Sequence, residues 1–210
     1  MKKLVLLLII GSLFVSCKKE RTIHITAKNA ATGEGYAGLG FVLRETKGYV
    51  TSTGEVQKKV YEGTLNAQGE AVFDYKLKNN RSYVLTTLVP EEELCYINNT
   101  SYTLSNLDDN YKFDFLFAGC ASLKLNIHNI NCQGPADSMR FRSRYNYENQ
   151  WQSWTTYRTG CYNFDSPDYF EVSQGKRMYE WEVIRNGNKT TFSGNVILDK
   201  GEYGIFEMNY

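Results

Sequence analysis

Apolar and polar residues alternate with a period of two along most of this 210-residue chain. The clearest apolar runs are Ile23 and Ile25; Phe73, Tyr75 and Leu77; Tyr111, Phe113, Phe115 and Phe117; Leu123, Leu125 and Ile127; Tyr179, Trp181 and Val183; and Phe206 and Met208. Successive side chains of a strand point to opposite faces, so each run predicts a strand with one buried face. No helical stripe of ten residues follows the N-terminal segment. The pattern predicts an all-β protein.

Turn residues separate these runs and indicate how the strands are grouped. Asn186-Gly187 lies between two apolar runs and is the strongest hairpin prediction. Many short strands with regular turns favour antiparallel β-sandwiches. A strand ending at Phe117 would be followed closely by another beginning at Ser122, which places a boundary near Ala118-Gly119. We therefore expect two tandem sandwiches, at residues 22–118 and 119–210.

The first residues have the composition of a secretory signal. Lys2 and Lys3 precede an unbroken apolar run over residues 4–10, and small residues follow. This order predicts a cleaved signal peptide at residues 1–16, which is too short to span a bilayer.

The end of this segment, Phe14-Val15-Ser16-Cys17, resembles a relaxed bacterial lipobox. The resemblance implies that Cys17 carries diacylglycerol and a further palmitate-type chain, and that residues 17–21 form a lipidated anchor with a short tether. Two or three acyl chains suffice for stable membrane attachment. The alternative is an ordinary cleaved signal followed by a free cysteine.

Charge adds to the prediction of location. Lys18-Lys19 does not resemble the acidic signal that retains lipoproteins in the inner membrane, so the outer membrane of the cell envelope is favoured, with its face left open. The formal net charge is +1, and the four N-terminal lysines account for more than that excess. Nothing indicates a nucleic-acid partner.

Four cysteines follow Cys17, an even number that suggests two disulfides in an exported chain. A Cys120–Cys132 bond is disfavoured because the strand predicted between them would span about 23 Å at roughly 3.3 Å per residue. We prefer Cys95 with Cys120 and Cys132 with Cys161, because each pair then stays mostly within one domain. Buried free thiols are the alternative.

Four segments of the first domain resemble a carboxypeptidase regulatory-like domain. They are Ile23-His24-Ile25-Thr26-Ala27, Ala31-Thr32-Gly33-Glu34-Gly35-Tyr36-Ala37-Gly38-Leu39, Gly63-Thr64-Leu65-Asn66-Ala67-Gln68-Gly69-Glu70-Ala71-Val72-Phe73 and Ser82-Tyr83-Val84-Leu85. The resemblance implies a transthyretin-like or Ig-like sandwich over roughly residues 20–90 and a scaffold, assembly or adhesion role. It supplies no catalytic motif. Gly35-Tyr36 replaces the usual Pro-Leu. The second domain resembles no family.

Motifs of catalysis and of metal binding are missing from the sequence. The two histidines, His24 and His128, lie in neither an H-E-x-x-H nor a C-x-x-C context, and no phosphate-binding loop or G-x-S-x-G elbow is present. We expect no catalytic residues, no metal and no cofactor. An enzyme whose catalytic pair is distant in sequence remains the alternative.

The segment from Tyr145 to Tyr162 is the best candidate for ligand binding. Its aromatic residues are mixed with amides, a composition that suits sugar rings because C–H faces pack on aromatic rings while hydroxyls bond the amides. The candidate residues are Tyr147, Trp151, Trp154 and Tyr157. The alternative is that these side chains build the core and edge of a sandwich.

Arg140, Arg142 and Arg144 alternate along one predicted strand and therefore share one face. Three guanidinium groups in a row are candidates for binding a sulfate, carboxylate or phosphate. Glu180 and Glu182 alternate in the same way, so cross-strand ion pairs are the simpler account.

These patterns predict a membrane-anchored, non-catalytic interaction or accessory module for surface assembly, adhesion or ligand capture. The expected partners are the membrane, through the lipid anchor, and an envelope protein or a glycan. The alternative is a carbohydrate-binding lipoprotein that uses the segment Tyr145 to Tyr162.

Overall fold

The computed structural model describes residues 20–46, 57–78, 80–104 and 110–210. The predicted signal peptide and Cys17 lie outside these residues. The described chain forms fifteen strands: β1 (Glu20–Asn29), β2 (Gly40–Thr46), β3 (Gln57–Thr64), β4 (Glu70–Lys76), β5 (Ser82–Thr87), β6 (Leu94–Ile97), β7 (Ser101–Leu104), β8 (Tyr111–His128), β9 (Ser138–Tyr145), β10 (Arg158–Thr159), β11 (Asn163–Asp165), β12 (Phe170–Ser173), β13 (Gly175–Arg185), β14 (Asn188–Leu198) and β15 (Tyr203–Asn209). The predicted all-β class is confirmed. No membrane-spanning helix occurs among the described residues.

The chain divides into two compact units that interleave along the sequence. Unit 1 comprises the described residues within Met1–Thr26, Ala37–Leu88 and Thr100–Asp114. Unit 2 comprises Ala27–Tyr36, Val89–Asn99 and Phe115–Tyr210. Strands β1 and β8 contribute residues to both units.

Unit 1 is a sandwich of two β-layers. β1 pairs antiparallel with β4, and the second layer has the strand order β3-β2-β5-β7. Aromatic rings pack between the layers, where Tyr61 of β3 stacks on Phe73 of β4 at 4.1 Å between centroids. Ile23, Ile25 and Leu43 are fully buried, so the apolar faces predicted from the alternation form this core.

Unit 2 has a second core between two further layers. In one layer, β8 pairs antiparallel with β11 and β12 and parallel with β15. The other has the order β10-β9-β13-β14. Tyr179 of β13 stacks on Phe206 of β15 at 4.4 Å within the core. The parallel pairing departs from the expected antiparallel sandwich, because β15 arrives from β14 of the opposite layer and not through a hairpin.

Strand β8 corrects one sequence-based interpretation. The expected strand end at Phe117 and new start at Ser122 are one continuous strand. Gly119 lies buried inside it, and its N–H donates to Oε1 of Gln174 at 3.0 Å. A Cβ at this position would lie 2.7 Å from that oxygen, so Gly119 permits a close side-chain approach and is not part of a linker. The domain ranges 22–118 and 119–210 stay a prediction, with their boundary inside β8.

The predicted hairpin and disulfide pairs are present. Asn186 and Gly187 have φ values of 49° and 76° and connect Arg185 to Asn188, a two-residue turn between β13 and β14. Cys95 bonds to Cys120 and Cys132 to Cys161, with Cα–Cα distances of 4.9 and 5.3 Å. The alternative of free thiols is therefore wrong for these four cysteines.

Candidate functional site

Strand β9 separates two sets of side chains. Met139 and Tyr145 are buried in the core of unit 2. Arg140, Arg142 and Arg144 alternate with them and are half-buried on the outward face. The sequence prediction that the three arginines share one face is therefore met.

The neighbouring strand β13 supplies two carboxylates to this face. Glu182 lies opposite Arg140 and Glu180 opposite Arg142. Arg140 Nη2 is 3.0 Å from Glu182 Oε1, and Arg142 Nε donates to Glu180 Oε2 at 2.7 Å. Lys189 Nζ of β14 lies 2.9 Å from Glu182 Oε2. The simpler account, cross-strand ion pairing, holds for Arg140 and Arg142.

Glu182 is the electrostatic centre of this face. Its side chain is only 7% exposed. Hydrogen bonds from Arg140, and secondarily from Lys189, lower the pKa of Glu182 from 4.5 to about 2, against the opposing effect of burial. The carboxylate therefore stays ionised well into the acid range.

A loop over residues 146–157 places three aromatic rings on the arginines. The ring centroid of Trp154 lies 4.6 Å from Cζ of Arg140 and 4.4 Å from Cζ of Arg142. The ring centroid of Trp151 lies 5.0 Å from Cζ of Arg142 and 4.8 Å from Cζ of Arg144. Tyr157 lies 4.8 Å from Arg140. Cation and ring therefore alternate in an arginine–tryptophan ladder, formed by Arg140, Arg142, Arg144, Trp151, Trp154 and Tyr157.

Backbone bonds hold this loop along the edge of β9, beyond the two residues that pair with β10. Thr155 N donates to Phe141 O at 2.9 Å, and Gln152 N donates to Ser143 O at 3.0 Å. Phe141 N donates in turn to Thr155 Oγ1. Ser143 Oγ donates to Gln152 Oε1 at 2.9 Å. The loop thus behaves as an extra edge strand, which sequence alternation alone did not reveal because Trp151 and Trp154 share no simple period.

The ladder adjoins an open cleft of about 410 Å³ in unit 2. The cleft is lined by aromatic and amide side chains together with one carboxylate and one aliphatic residue: Tyr96, Asn98, Leu116, Tyr147, Glu148, Asn149, Gln150, Trp151 and Gln152. Of the candidate ligand-binding residues, Tyr147 and Trp151 reach the cleft. Trp154, Tyr157 and the three arginines are not among its lining residues.

The sequence pattern did not indicate the residues of the cleft that come from β6 and β8. Tyr96 follows Cys95, whose disulfide to Cys120 fixes β6 beside β8. Tyr96 and Tyr147 then meet at 4.8 Å between ring centroids. The sequence signal for Tyr96 was its position next to a cysteine. That signal places Tyr96 in the cleft only when the partner of the cysteine is known.

A second cleft of about 470 Å³, lined by more charged residues, also belongs to unit 2. Tyr36 OH donates to Glu92 at 2.7 Å, and Lys200 pairs with the same carboxylate. Burial and this carboxylate raise the pKa of Tyr36. Lys200, followed by Tyr36, lowers the pKa of Glu92 against the effect of burial. These groups satisfy each other.

Metal ligands converge at one place in the described ranges, around Cys95, Cys120 and Glu171. The two sulfurs form a disulfide and cannot act as thiolate ligands. One carboxylate remains, which is too few ligands for a closed metal site.

Comparisons with known proteins give no family. No family model and no curated protein matches the chain. Among solved structures, the Bacillus anthracis TIE protein is similar at 14% identity and a TM-score of 0.34, over 91% of this chain and 34% of that one. GBS52, the minor pilin of Streptococcus agalactiae, is similar at 12% identity and a TM-score of 0.34, over 90% and 94% of the two chains. The shaft pilin SpaA of Lactobacillus rhamnosus GG is similar at 11% identity and a TM-score of 0.33, over 90% of this chain and 98% of that one.

The first of these proteins is much longer than the chain described here, which spans about a third of it. Identities and TM-scores of this size identify neither a family nor a function.

Proposed function

We propose that this chain is a non-catalytic interaction module of the cell envelope. Acylated Cys17 holds it at the membrane, and a protein partner docks along strand β15. The anchor rests on the resemblance of Phe14-Val15-Ser16-Cys17 to a lipobox. The docking surface rests on one observation: β15 is an edge strand that carries exposed apolar side chains.

The geometry of β15 suits strand addition. It pairs with β8 along one side, from Tyr203↔Ser122 to Asn209↔His128. No strand within the described ranges pairs with its other side. An edge of this kind presents unpaired N–H and C=O groups that a second chain can bind.

Apolar side chains accompany this free edge. Tyr203 is 67% exposed and Ile205 is 53% exposed, and both alternate with the buried Phe206 and Met208. Tyr169 contacts Tyr203 edge-to-face at 5.0 Å between centroids and is itself exposed. A protein partner would gain both backbone hydrogen bonds and apolar contacts here.

The test is crosslinking of the membrane-bound protein in its own cells, followed by identification of the captured proteins. Ile205→Lys should abolish the main crosslink, because a charge would be buried against the partner. Ile197→Lys is the matched control: Ile197 is 63% exposed on β14, the edge strand of the other layer. It should leave the crosslink unchanged. Equal capture of the partner by the wild type, Ile205→Lys and Ile197→Lys would refute docking at β15.

The anchor is tested separately in the same cells. Cys17→Ser should move the protein from the membrane fraction to the soluble fraction, because no acyl chain can then be attached. Retention of the Ser variant in the membrane would refute lipid anchoring and leave the test of β15 intact.

A further inference from the structure

We propose that the cleft of unit 2 beside Trp151 is a binding site for a neutral saccharide. This inference does not depend on the protein partner at β15, because the cleft uses other residues of the unit. It follows from the shape, the chemistry and the charge of the cleft lining.

Aromatic rings form a fixed apolar wall of the cleft. Tyr147 stacks on the buried Tyr145 at 5.1 Å between centroids and meets Tyr96 at 4.8 Å. Tyr147 OH donates to Gln174 O at 3.2 Å, which fixes the ring. Trp151 is held by the guanidinium groups of the ladder. Such rings offer an apolar surface to the C–H face of a pyranose without a large loss of side-chain entropy.

Amide side chains line the same cleft without partners of their own. Asn98, Asn149 and Gln150 are exposed, and within the described ranges their side chains make no hydrogen bond. Each amide offers donors and an acceptor, which matches the donor and acceptor capacity of a hydroxyl group. Gln152 differs, because its Oε1 already accepts from Ser143. Three free amides beside an aromatic wall are suited to a polyhydroxylated ligand.

The charges near the cleft favour a neutral ligand over an acidic one. Glu148 is the only acidic or basic residue of the lining, and its Oε2 accepts from Tyr145 N at 3.0 Å. Arg140 and Arg142 are paired with Glu182 and Glu180 and stacked on aromatic rings. Arg144 has no carboxylate partner within the described ranges, but its guanidinium lies 4.8 Å from the ring centroid of Trp151 and is not part of the lining. An anionic sugar would therefore meet a carboxylate and no free cation in the cleft.

The experiment is isothermal titration of the full-length protein in micelles of a detergent without a sugar headgroup. The probes are neutral hexasaccharides of glucose, mannose, galactose or xylose units, with hexagalacturonate as the anionic counterpart. At least one neutral probe should bind, and the anionic one should bind at least about tenfold more weakly.

Two sets of variants locate the binding. Asn149→Ala combined with Gln150→Ala should weaken the affinity for the neutral probe about tenfold, because hydrogen bonds to hydroxyls are lost while no internal bond is broken. Trp151→Ala should weaken it at least as much. The matched control combines Asn131→Ala and Asn195→Ala, two exposed amides of the same unit outside the cleft, and should bind like the wild type.

Three results would each overturn the proposal: binding of no neutral probe, binding of hexagalacturonate as tight as that of the best neutral probe, or unchanged affinity in the Asn149 and Gln150 variant. Circular dichroism of that variant verifies that its fold is intact. None of these results bears on crosslinking at β15, so the two proposals fail separately.

Discussion

The two outward faces of unit 2 place aromatic side chains in opposite environments. On the face of β9 and β13, Trp151 and Trp154 lie against three arginines, of which Arg140 and Arg142 are paired with Glu182 and Glu180. On the face of β15, by contrast, exposed aromatic and aliphatic side chains lie along an edge that no other strand of the described residues covers. The first face stabilises the unit and shapes its cleft. The second has apolar surface available for binding another molecule.

The sharpest test of this contrast removes a ring from the paired face. Trp154→Ala should destabilise the protein by about 2 kcal/mol, because two guanidinium groups each lose one of their two stacking rings and a half-buried ring no longer covers β9. Urea unfolding measures the change. A loss below about 0.5 kcal/mol, the size usual for surface substitutions, would show that the ladder does not stabilise the fold.

Acid should weaken the paired face through Glu182. The folded protein holds the pKa of this carboxyl at about 2, below its ordinary 4.5, so the unfolded chain takes up the proton first as the pH falls. The contribution of ionised Glu182 to the stability of the fold is complete above about pH 4.5 and is lost progressively down to about pH 2. Asp137, whose pKa is lowered chiefly by the N–H of Gln133, changes stability in the same direction.

The control for this pH dependence is Glu182→Gln. This variant should be less stable than the wild type at neutral pH and should lose less stability on acidification, because it lacks the titrating group. Urea midpoints measured at several pH values report both effects. Parallel curves for the two proteins would contradict the role given to Glu182.

The smallest effect on stability is expected on the face of β15. Tyr203→Ala should change the free energy of unfolding by no more than about 0.5 kcal/mol, because the ring is mostly exposed and its ring contact is with another exposed ring, that of Tyr169. Urea unfolding of Tyr203→Ala and Trp154→Ala under the same conditions checks this ranking. Destabilisation equal to that of Trp154→Ala would remove the contrast between the two faces.

Local patterns in the sequence predicted the features that depend on neighbouring residues. Alternation predicted the strands and the shared face of Arg140, Arg142 and Arg144, since a strand fixes side-chain direction by its period. Asn186-Gly187 predicted its hairpin because these residues tolerate positive φ.

Features that depend on distant segments were not predicted. The glycine at 119 resembled a linker residue, and only the approach of Gln174 shows why a side chain is excluded there. The stacking of Trp154 on two arginines depends on a loop that returns along β9, which no period reveals. Tyr96 lies in the cleft because the neighbouring Cys95 is bonded to Cys120, 25 residues further along the chain.

The position of β15 affects the order in which the chain can fold. Its Glu207 meets Asn126 of β8 across a sequence separation of 81 residues, and Met208 is fully buried in the core of unit 2. A chain that emerges N-terminus first keeps one side of this core open until β15 has been synthesised. During synthesis, unit 2 would therefore expose apolar surface for longer than a domain built from sequential hairpins.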